Sequence, residues 1–582
     1  MENSQNNTIR LYLAQIIKSA LDEEAPLDEI RRQIALPPQF SMGHFAFACF
    51  FLAKKNKTQP NQIANSLAEK IGQTKDPFVA KAQALGPYLN FTLTASCYEE
   101  KLLIPILQGS FFKKQISSSQ TIMIEYSQPN THKELHVGHM RNLSLGNTLV
   151  RIQSYLGNKI ISATYPGDMG THVAKCLWYL KNFENKPPSQ TNKGTWLGKI
   201  YGQAVRKLDE EKDSEKKKKW QRELGDILKE LDKKKGELFE LWRKTRQWSL
   251  ELMEEIYRWA NVSFDKWYFE SEVDADSLKR ARELYKKGVL KKSQGAIGMD
   301  LSEDNLGFCI LIKSDGTGMY STKDIELAFK KFSEYPLDKS IYLVDKRQSL
   351  HFQQIFAVLR RMGFSQVENC KHIAHDFVEL PQGVMSSRKG NIIPITDLIS
   401  RMERKIVADY LQRYRDSWSE DEIKKTASMI AIGAIKYGML RMDHDRKIVF
   451  EMEQWLKLDG ETGPYLQYVH ARIRSLLHKL KYDEKNPVNP KFFNSPREWE
   501  LMVKLSSFND VVLLCGKQWK AYTLCVYLYE LGKLFNVFYN ECPIGKAEND
   551  AIRNNRLILA KATGLVIKKG LNLLGIDAPE KM

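Results

Sequence analysis

Residues Thr121 to Asn142 read TIMIEYSQPNTHKELHVGHMRN, and the succession of segments in this stretch decides the fold. Ile122 to Tyr126 is a short apolar run, the pattern of a buried strand. A loop carrying Pro129 and Asn130 follows, and then two histidines three apart, His136 and His139. Leu143, Leu149, Ile152 and Leu156 hold helical spacing as far as Gly157, which reads as a helix stop. A strand, loop and helix in this order put the chemistry at the turn beyond the carboxyl end of the strand. In open α/β sheets that is where ligands sit, and a helix N-terminus there favours negative charge.

Working outward, a chain of 582 residues carries roughly three to five domains with ample material for a core in each. The 43% apolar content and mean hydropathy of -0.43 are those of a soluble globular protein. The richest apolar run, Phe45 to Ala53, falls far short of the ~20 residues of a membrane span, and MENSQNN at the start has no basic region followed by an apolar one. Eight cysteines (Cys49, Cys97, Cys176, Cys309, Cys370, Cys515, Cys525 and Cys542) are scattered without a CxxC pair. They read as reduced, mostly buried thiols of a cytosolic protein, not as zinc ligands or disulfides. The net charge of +18 and pI near 9.2 point to a polyanionic partner, although a basic surface serving solubility alone would give the same numbers.

Residues 1 to about 110 read as a small separate α/β domain. Ile9, Leu11, Leu13, Ile16 and Ile17 form a helical apolar face, whereas the stretch with Phe45, Phe47, Phe50 and Phe51, and then Tyr88 to Leu93, are strand-like. Ser117 to Gln120 reads as a linker. From Ile122 to about Ile399, within a domain set at 118–410, strands alternate with helical stretches, the signature of a parallel sheet covered by helices. Ile160 to Thr164 is a second strand, leading into the tight turn Tyr165 to Gly170. Phe308 to Ile312 and Ile341 to Val344 are further strands flanking the Asp315-Gly316 turn signal. Arg206 to Arg246 interrupts the region with KKKK at Lys216 to Lys219 and KKK at Lys233 to Lys235. Leu224, Leu228, Leu231, Leu238 and Leu241 keep helical spacing there, so the segment near 205–246 reads as a solvated helical insertion in preference to an element facing a nucleic acid. From 411 to 582 the pattern is helical: Ala431 to Leu440, Tyr465 to Leu480, Glu498 to Leu514, Tyr522 to Tyr539 and Leu557 to Leu574 suggest a bundle. The first turns of the second of these, Tyr465 to Arg474, interleave aromatic and basic residues as surfaces that bind unpaired nucleotides do, though aromatics at helical spacing are more often core.

His136-Val137-Gly138-His139 allows zinc ligation or hydrogen bonding to phosphates. Zinc would need further ligands at suitable spacing, and none stands out. Phosphate binding needs donors at a helix N-terminus and a glycine against which a nucleotide can lie, which Gly138 supplies. Far downstream, Val384-Met385-Ser386-Ser387-Arg388-Lys389-Gly390-Asn391 forms a Ser/Gly loop with adjacent cations, able to neutralise charge on a leaving phosphate. Alone it reads as a solvated turn; paired with the upstream HxGH it is far more specific.

Together the HxGH and MSSRKGN elements resemble the HIGH and KMSKS signatures of class I aminoacyl-tRNA synthetases, and the text around them is similar to the arginyl-tRNA synthetase family. Glu125-Tyr126-Ser127-Gln128-Pro129-Asn130 resembles its E-[FY]-S-[SA]-P-N stretch, Tyr320-Ser321-Thr322-Lys323-Asp324 its Y-x-T-[RK]-D, Gln348-Ser349-Leu350-His351 its Q-D-L-H, and Thr462 to Tyr468 its TGPxLQY. The end of the chain, from Gly570-Leu571 to Met582, looks like the family's close. The resemblance runs over nearly the whole chain with its motifs in order. It implies a Rossmann-type catalytic domain, an N-terminal domain touching the tRNA elbow, a helical stem-contact region from 411 and an anticodon-binding bundle from about 462. It also implies that the chain, a cytoplasmic monomer with no membrane association, uses ATP with Mg2+ to activate L-arginine and passes the arginyl group to the 2′-hydroxyl of the terminal adenosine of tRNA(Arg).

The same resemblance assigns residues. His136, Gly138 and His139 hold ATP with Met385, Ser386 and Ser387; Lys133, Arg388 and Lys389 act with the histidines in catalysis. Glu125, Asn130, Glu270, Tyr320, Asp324 and Gln348 hold arginine, and Tyr465, Gln467, Tyr468 and Arg472 touch tRNA. A guanidinium is told from an ammonium by carboxylates in a fixed fork, which suits Glu270 and Asp324. Read without the motif, both are ordinary surface acids, and Tyr320 and Tyr126 are core aromatics, a reading retained for Tyr126. The chain departs from the pattern at Val384 and Ser387, where lysines are usual; Lys133 then stands in as the phosphate-binding cation. Gln128 replaces a small residue and His172 a glutamine. Two rival readings remain: a synthetase-like tRNA binder without catalysis, against which His136, His139 and Asp324 argue, and an HxGH nucleotidyltransferase for a small substrate, which would have no use for the basic helical last third.

Overall fold

The structure is a computed structural model that describes residues 9–21, 25–113, 119–184, 192–384 and 392–582. At the N-terminal end, helices α1 (Ile9–Ala20) and α2 (Pro60–Gln73) cover a four-stranded antiparallel sheet. Its strands β1 (Ile34–Ala35), β2 (Phe45–Ala48), β3 (Val79–Leu85) and β4 (Tyr88–Leu93) lie in the order β1-β2-β4-β3. The Phe-rich stretch is only half strand: Phe50 opens a short helix, Phe50–Asn56.

The central sheet is built from β5 (Thr121–Glu125), β6 (Lys159–Thr164), β7 (Lys266–Trp267), β11 (Lys339–Asp345) and β12 (Cys370–His375), in the order β12-β11-β5-β6-β7 with every neighbouring pair parallel. Strand order reverses between β5 and β11, so the ligand-binding crevice of a doubly wound sheet opens beyond Glu125 and Asp345. The crossover from β5 is α3 (His139–Tyr155), which ends as expected: Leu156 caps it and Gly157 turns out at φ 98°. After β6 come α4 (Thr171–Asn182), α5 (Lys193–Glu210), α6 (Ser214–Asp232) and α7 (Glu237–Trp259). The lysine-rich insertion is thus a set of helices. Only Ile227 and Leu231 of α6 are buried, while α7 buries a full face including Trp242, Thr245 and Ser249.

Helix α8 (Glu270–Lys286) follows β7, and then β8 (Lys291–Ser293), β9 (Ala296–Asp300) and β10 (Phe308–Ile312) form a separate antiparallel sheet. The strand expected at Phe308 to Ile312 exists but pairs here and not in the parallel sheet, because alternation marks a strand without saying which sheet it joins. Helix α9 (Tyr320–Glu334) leads to β11, and α10 (Ser349–Arg361) to β12. A small sheet of β13 (Val378–Leu380), β14 (Gly383–Val384) and β15 (Ile448–Val449) lies beyond.

The rest is helical: α11 (Ile395–Ile406), α12 (Glu420–Leu440), α13 (Gly463–Lys479), α14 (Pro496–Ser506), α15 (Phe508–Gln518), α16 (Tyr522–Glu541) and α17 (Asp550–Leu573). Ser419 and Glu422 form a capping box that starts α12 well before Ala431. The helix expected over Glu498 to Leu514 is two, separated at Ser507. None of the described helices is long and apolar enough to cross a membrane.

One polar junction ties this bundle to α3. The Lys436 ammonium group is fully buried and donates to Asn147 Oδ1 at 2.9 Å and to the Gly575 carbonyl at 2.9 Å. Arg151 donates to the carbonyls of Asn572, at 3.2 Å, and Asn261, at 3.0 Å. Gly575 stands at φ 70°, and a Cβ there would lie 2.4 Å from Lys436 Nζ.

Candidate active site

The HxGH residues sit where β5 hands over to α3: Gly138 precedes the helix and His139 opens it. Each imidazole is fixed by a backbone donor. The His136 N–H donates to His139 Nδ1 at 3.1 Å, and the Gly138 N–H to His136 Nδ1 at 3.1 Å. With Nδ1 taken as acceptor, each ring carries its proton on Nε2 and offers it as a donor. Burial pushes His136 down to about 2 and His139 down to about 4, so both stay neutral in the physiological range. They are dipolar donors and not cations. Among the described residues no group of three or more His, Cys, Asp and Glu side chains is placed to hold a metal ion.

The loop before them is held by parts far away in sequence. Val137 N–H donates to Ile393 O at 3.1 Å and Ile395 N–H to Leu135 O at 2.9 Å, so the HxGH turn is sewn to the strand-like segment that follows the second motif. Met385, Ser386, Ser387, Arg388 and Lys389 lie outside the described residues. Val384 pairs with Glu379 in β14. Ser127 and His132 take the left-handed conformation, at φ 56° and 62°, a costly geometry for such residues that surrounding contacts enforce. His132 is fully buried, its ring nitrogens 2.9 Å from Thr131 Oγ1 and 2.9 Å from Thr245 Oγ1. Lys133 extends its ammonium to 5.3 Å from the Tyr201 ring and lies close enough to His139 and His172 to oppose their protonation.

An acidic pocket faces this loop. Asn130 bridges to Gly167, where a Cβ would meet Asn130 Oδ1 at 2.3 Å and Glu270 Oε1 at 3.1 Å. Glu270 opens α8, is 7% exposed, and reaches Lys323 at 3.3 Å. Burial, with Asp324 and Asp168 adding to it against Lys323, pushes its carboxyl up to about 7. Asp324 accepts from or shares a proton with His351 Nε2 at 2.6 Å. Tyr320, 56% exposed at the start of α9, senses Glu270, Lys323 and Asp324. The Tyr165 hydroxyl is buried without a partner, and its phenol is held protonated by burial and by the surrounding carboxylates, Asp324 and Glu270 foremost. The hydroxyl oxygen is an unused acceptor among carboxylates, the kind of group to which a polar cation donates. Gln348 is exposed just beyond the end of β11.

Several of the expected site residues have partners inside the protein. Glu125 is buried, with one oxygen 2.5 Å from the fully buried Lys331 and the other accepting from Gln128 Nε2 at 3.2 Å. Its charge is paired with Lys331, and it lies near enough to Tyr165 to help hold that phenol protonated. Gln467 is fully buried and donates to the carbonyls of Met429, at 2.9 Å, and Asp577, at 2.7 Å, so it fastens α13 and is not on a surface. Tyr465 is 7% exposed and its hydroxyl accepts from Asn536 at 2.9 Å. Tyr468 and Arg472 do border an open groove of about 740 Å3, with Tyr414, Trp418, Arg474 and Lys581. Tyr126 is core, its ring filling the space a Cβ on Gly146 would need.

Both departures have local reasons. Gln128 bridges the sheet at the reversal point, donating to Glu125 and, at 3.4 Å, to Leu343 O. His172 donates Nε2–H to Gly167 O at 3.2 Å and so holds the turn that carries Gly167.

A family model for the class I tRNA synthetase (R) catalytic domain matches residues 103–452. The chain belongs to the arginyl-tRNA synthetase family. Models for the arginyl-tRNA synthetase N-terminal domain and the DALR anticodon-binding domain match residues 8–93 and 466–582. An arginine–tRNA ligase from Bdellovibrio bacteriovorus is 48% identical over 584 residues, covering 99% of the chain and 100% of that protein. One from Clostridium perfringens is 34% identical over 574 residues, covering 98% and 99%. The solved arginyl-tRNA synthetase of Thermus thermophilus superposes with a TM-score of 0.82 at 26% identity, over 99% of the chain and 100% of the other. That of Plasmodium falciparum shares the fold, with a TM-score of 0.75 at 20% identity over the full length of both chains. The family is a class I synthetase family, which uses ATP.

Proposed function

We propose that the chain is an arginine–tRNA ligase: it activates L-arginine with ATP to arginyl-adenylate and passes the arginyl group to the 2′-hydroxyl of the terminal adenosine of tRNA(Arg). The observation that carries this reading is the buried acid Glu270 beside Asp324 and the partnerless Tyr165 hydroxyl, next to a turn offering two neutral imidazole donors. Glu270 and Asp324 receive the guanidinium in a fork, with Tyr320 supplying a flat face. Asn130 and Gln348 hold the amino and carboxylate groups, and His136, Gly138 and His139 hold the triphosphate, joined by Met385, Ser386, Ser387, Arg388 and Lys389. Mg2+ arrives bound to the ATP phosphates. Catalysis is positioning plus charge stabilisation, with no covalent enzyme intermediate. The N-terminal domain meets the tRNA elbow, the helices from 411 its stem, and the bundle from about 462 its anticodon, with Tyr468 and Arg472 at the groove. The enzyme acts as a cytoplasmic monomer. The test is pyrophosphate exchange, expected to depend on both arginine and tRNA(Arg); exchange supported by lysine or glutamate instead would overturn the substrate.

The Glu270 pKa gives a pH dependence. The carboxyl must be ionised to meet a guanidinium, and in the empty site it titrates at about 7. Arginine binding is therefore intact above pH 7 and lost as pH falls, with kcat/KM for arginine dropping about tenfold per unit below it at saturating ATP. The stability linkage has the opposite sign: a carboxyl raised from its usual value makes the empty fold less stable as pH rises from about 4.5 towards 7. Arginine should accordingly raise the melting temperature more at pH 8 than at pH 6. Steady-state exchange and thermal melts over that range check both, and a flat profile would remove Glu270 from guanidinium binding.

Gly167→Ala is expected to lower kcat/KM for arginine by about a hundredfold, since its methyl must displace the Asn130 amide and a misplacement of about 1 Å carries that cost. Exchange kinetics at saturating ATP measure it, and a folded variant with unchanged KM for arginine would contradict it.

A further inference from the structure

The inner face of α7 belongs to the insertion that the sequence marks as a solvated charged segment, yet it reaches the acidic pocket. Arg246 Nε donates to Asp168 Oδ2 at 2.7 Å, with the Asp168 side chain wholly buried. The Arg246 guanidinium also lies 4.0 Å from the centroid of the Phe269 ring. Trp242, one turn earlier, donates its indole N–H to the Asp168 carbonyl at 2.8 Å. Asp168 in turn caps α8 from outside the helix: Oδ1 accepts the Ser271 N–H at 2.9 Å, and Oδ2 the Ser271 hydroxyl at 2.7 Å. Phe269 precedes Glu270 and Ser271 follows it, so both chain neighbours of Glu270 are gripped by the Arg246–Asp168 pair. Phe269, at the cap position, makes no side-chain cap bond of its own. Without Asp168 the Ser271 N–H at the buried start of α8 would lose its partner.

We propose that Arg246 is a positioning residue for guanidinium selection: through Asp168 and Phe269 it sets the place and direction of the Glu270 carboxylate without touching substrate. The inference rests on the reading of Glu270 as a partner of the arginine side chain. Because Arg246 lies on the insertion, it makes that segment part of the specificity apparatus and not an ornament of the surface.

Charge gives a signature that simple loosening would not. Glu270 is faced by Lys323, Asp324 and Tyr320 from α9, by Asp274 on its own helix, and by Asp168 and Tyr165 from the turn after β6. Removing the Arg246 charge leaves Asp168 uncompensated beside Glu270, and a nearby like charge makes a carboxyl harder to ionise.

The test compares Arg246→Gln and Arg246→Lys with wild type in arginine-dependent pyrophosphate exchange in the presence of tRNA(Arg), with thermal melts to confirm folding. Arg246→Gln is expected to raise KM for arginine about tenfold or more, leave KM for ATP within about twofold, narrow the preference for arginine over lysine, and move the acid limb of kcat/KM for arginine to higher pH. Arg246→Lys keeps the charge but loses the planar stack on Phe269. It should restore the acid limb while recovering KM only in part. A folded Arg246→Gln with unchanged KM for arginine, or one that loses arginine and ATP binding equally with no shift of the acid limb, overturns the proposal. Wild-type enzyme showing no arginine-dependent exchange would instead overturn the underlying assignment.

Discussion

Asp324→Asn is expected to lower kcat/KM for arginine by about a thousandfold, with most of the loss in KM for arginine and KM for ATP unmoved. The substitution preserves size and one acceptor oxygen but removes the charge. Truncating one partner of a buried, hydrogen-bonded charge pair costs about 2–5 kcal/mol, and about 4 kcal/mol corresponds to three decades. Asp324 is well placed for such a role, because its contact with His351 Nε2 at 2.6 Å fixes the carboxylate before any ligand arrives. The pocket also stands to lose its preference for arginine over lysine, since a guanidinium forks between two carboxylates and an ammonium needs only one. Initial-rate exchange with each amino acid measures both effects. A loss smaller than tenfold would take Asp324 out of the guanidinium fork.

Lys133→Ala is expected to reduce the rate of adenylate formation by about two to three decades while leaving tRNA affinity within about twofold, the cost of removing one preorganised partner from a charge developing in the transition state. The need for a cation here follows from the chemistry of the neighbours. His136 and His139 are neutral donors, so they can orient phosphate oxygens but cannot neutralise them, and Val384 and Ser387 stand where the second motif usually carries lysines. The Lys133 ammonium lies over Tyr201, close enough to His139 and His172 to oppose their protonation, on the loop that leads into α3. Single-turnover adenylate formation and a filter-binding titration with tRNA(Arg) separate the two quantities. Near-normal turnover would remove Lys133 from the mechanism.

The strand, turn and helix of residues 121–157 are legible in the sequence because their signals are local: an apolar run, a Pro-Asn loop, helical spacing and a terminating glycine. Strands β5, β6 and β11 of the parallel sheet are legible for the same reason, whereas β7 and β12 are not picked out and β10 belongs to another sheet. What the chain does not announce is partnership between distant residues. Glu125 matches a substrate-binding position, and nothing near it in sequence reveals that Lys331 arrives from α9 to claim its charge. Gln467 sits in a run of aromatic and basic residues that reads as a nucleic-acid surface, but its side is set by how α13 crosses α12, where a Cβ on Gly433 would strike its amide oxygen. Arg246 is hidden inside a lysine-rich stretch whose composition describes the outer face of the insertion and says nothing of the inner one. The break at Ser507 carries neither Gly nor Pro, so periodicity runs through it. Motif resemblance recovers Glu270 and Asp324 because it stores the tertiary information that local physics lacks.

The junction of Lys436, Asn147 and Gly575 bears on whether this molecule is modular. By layer it divides into a nucleotide-binding sheet and a separate bundle, which invites expressing the first alone. Yet helix α3, which begins with the second histidine of the HxGH turn, places Asn147 against the Lys436 amine of α12 and Arg151 against the Asn572 carbonyl, and Lys436 also donates to the Gly575 carbonyl, both carbonyls coming from the end of the chain. Cutting the chain before residue 570 would remove both carbonyls and leave the buried Lys436 amine with Asn147 alone, and a buried polar group that loses a partner costs about 1–3 kcal/mol. The apparent seam between domains is therefore bonded across at helix α3.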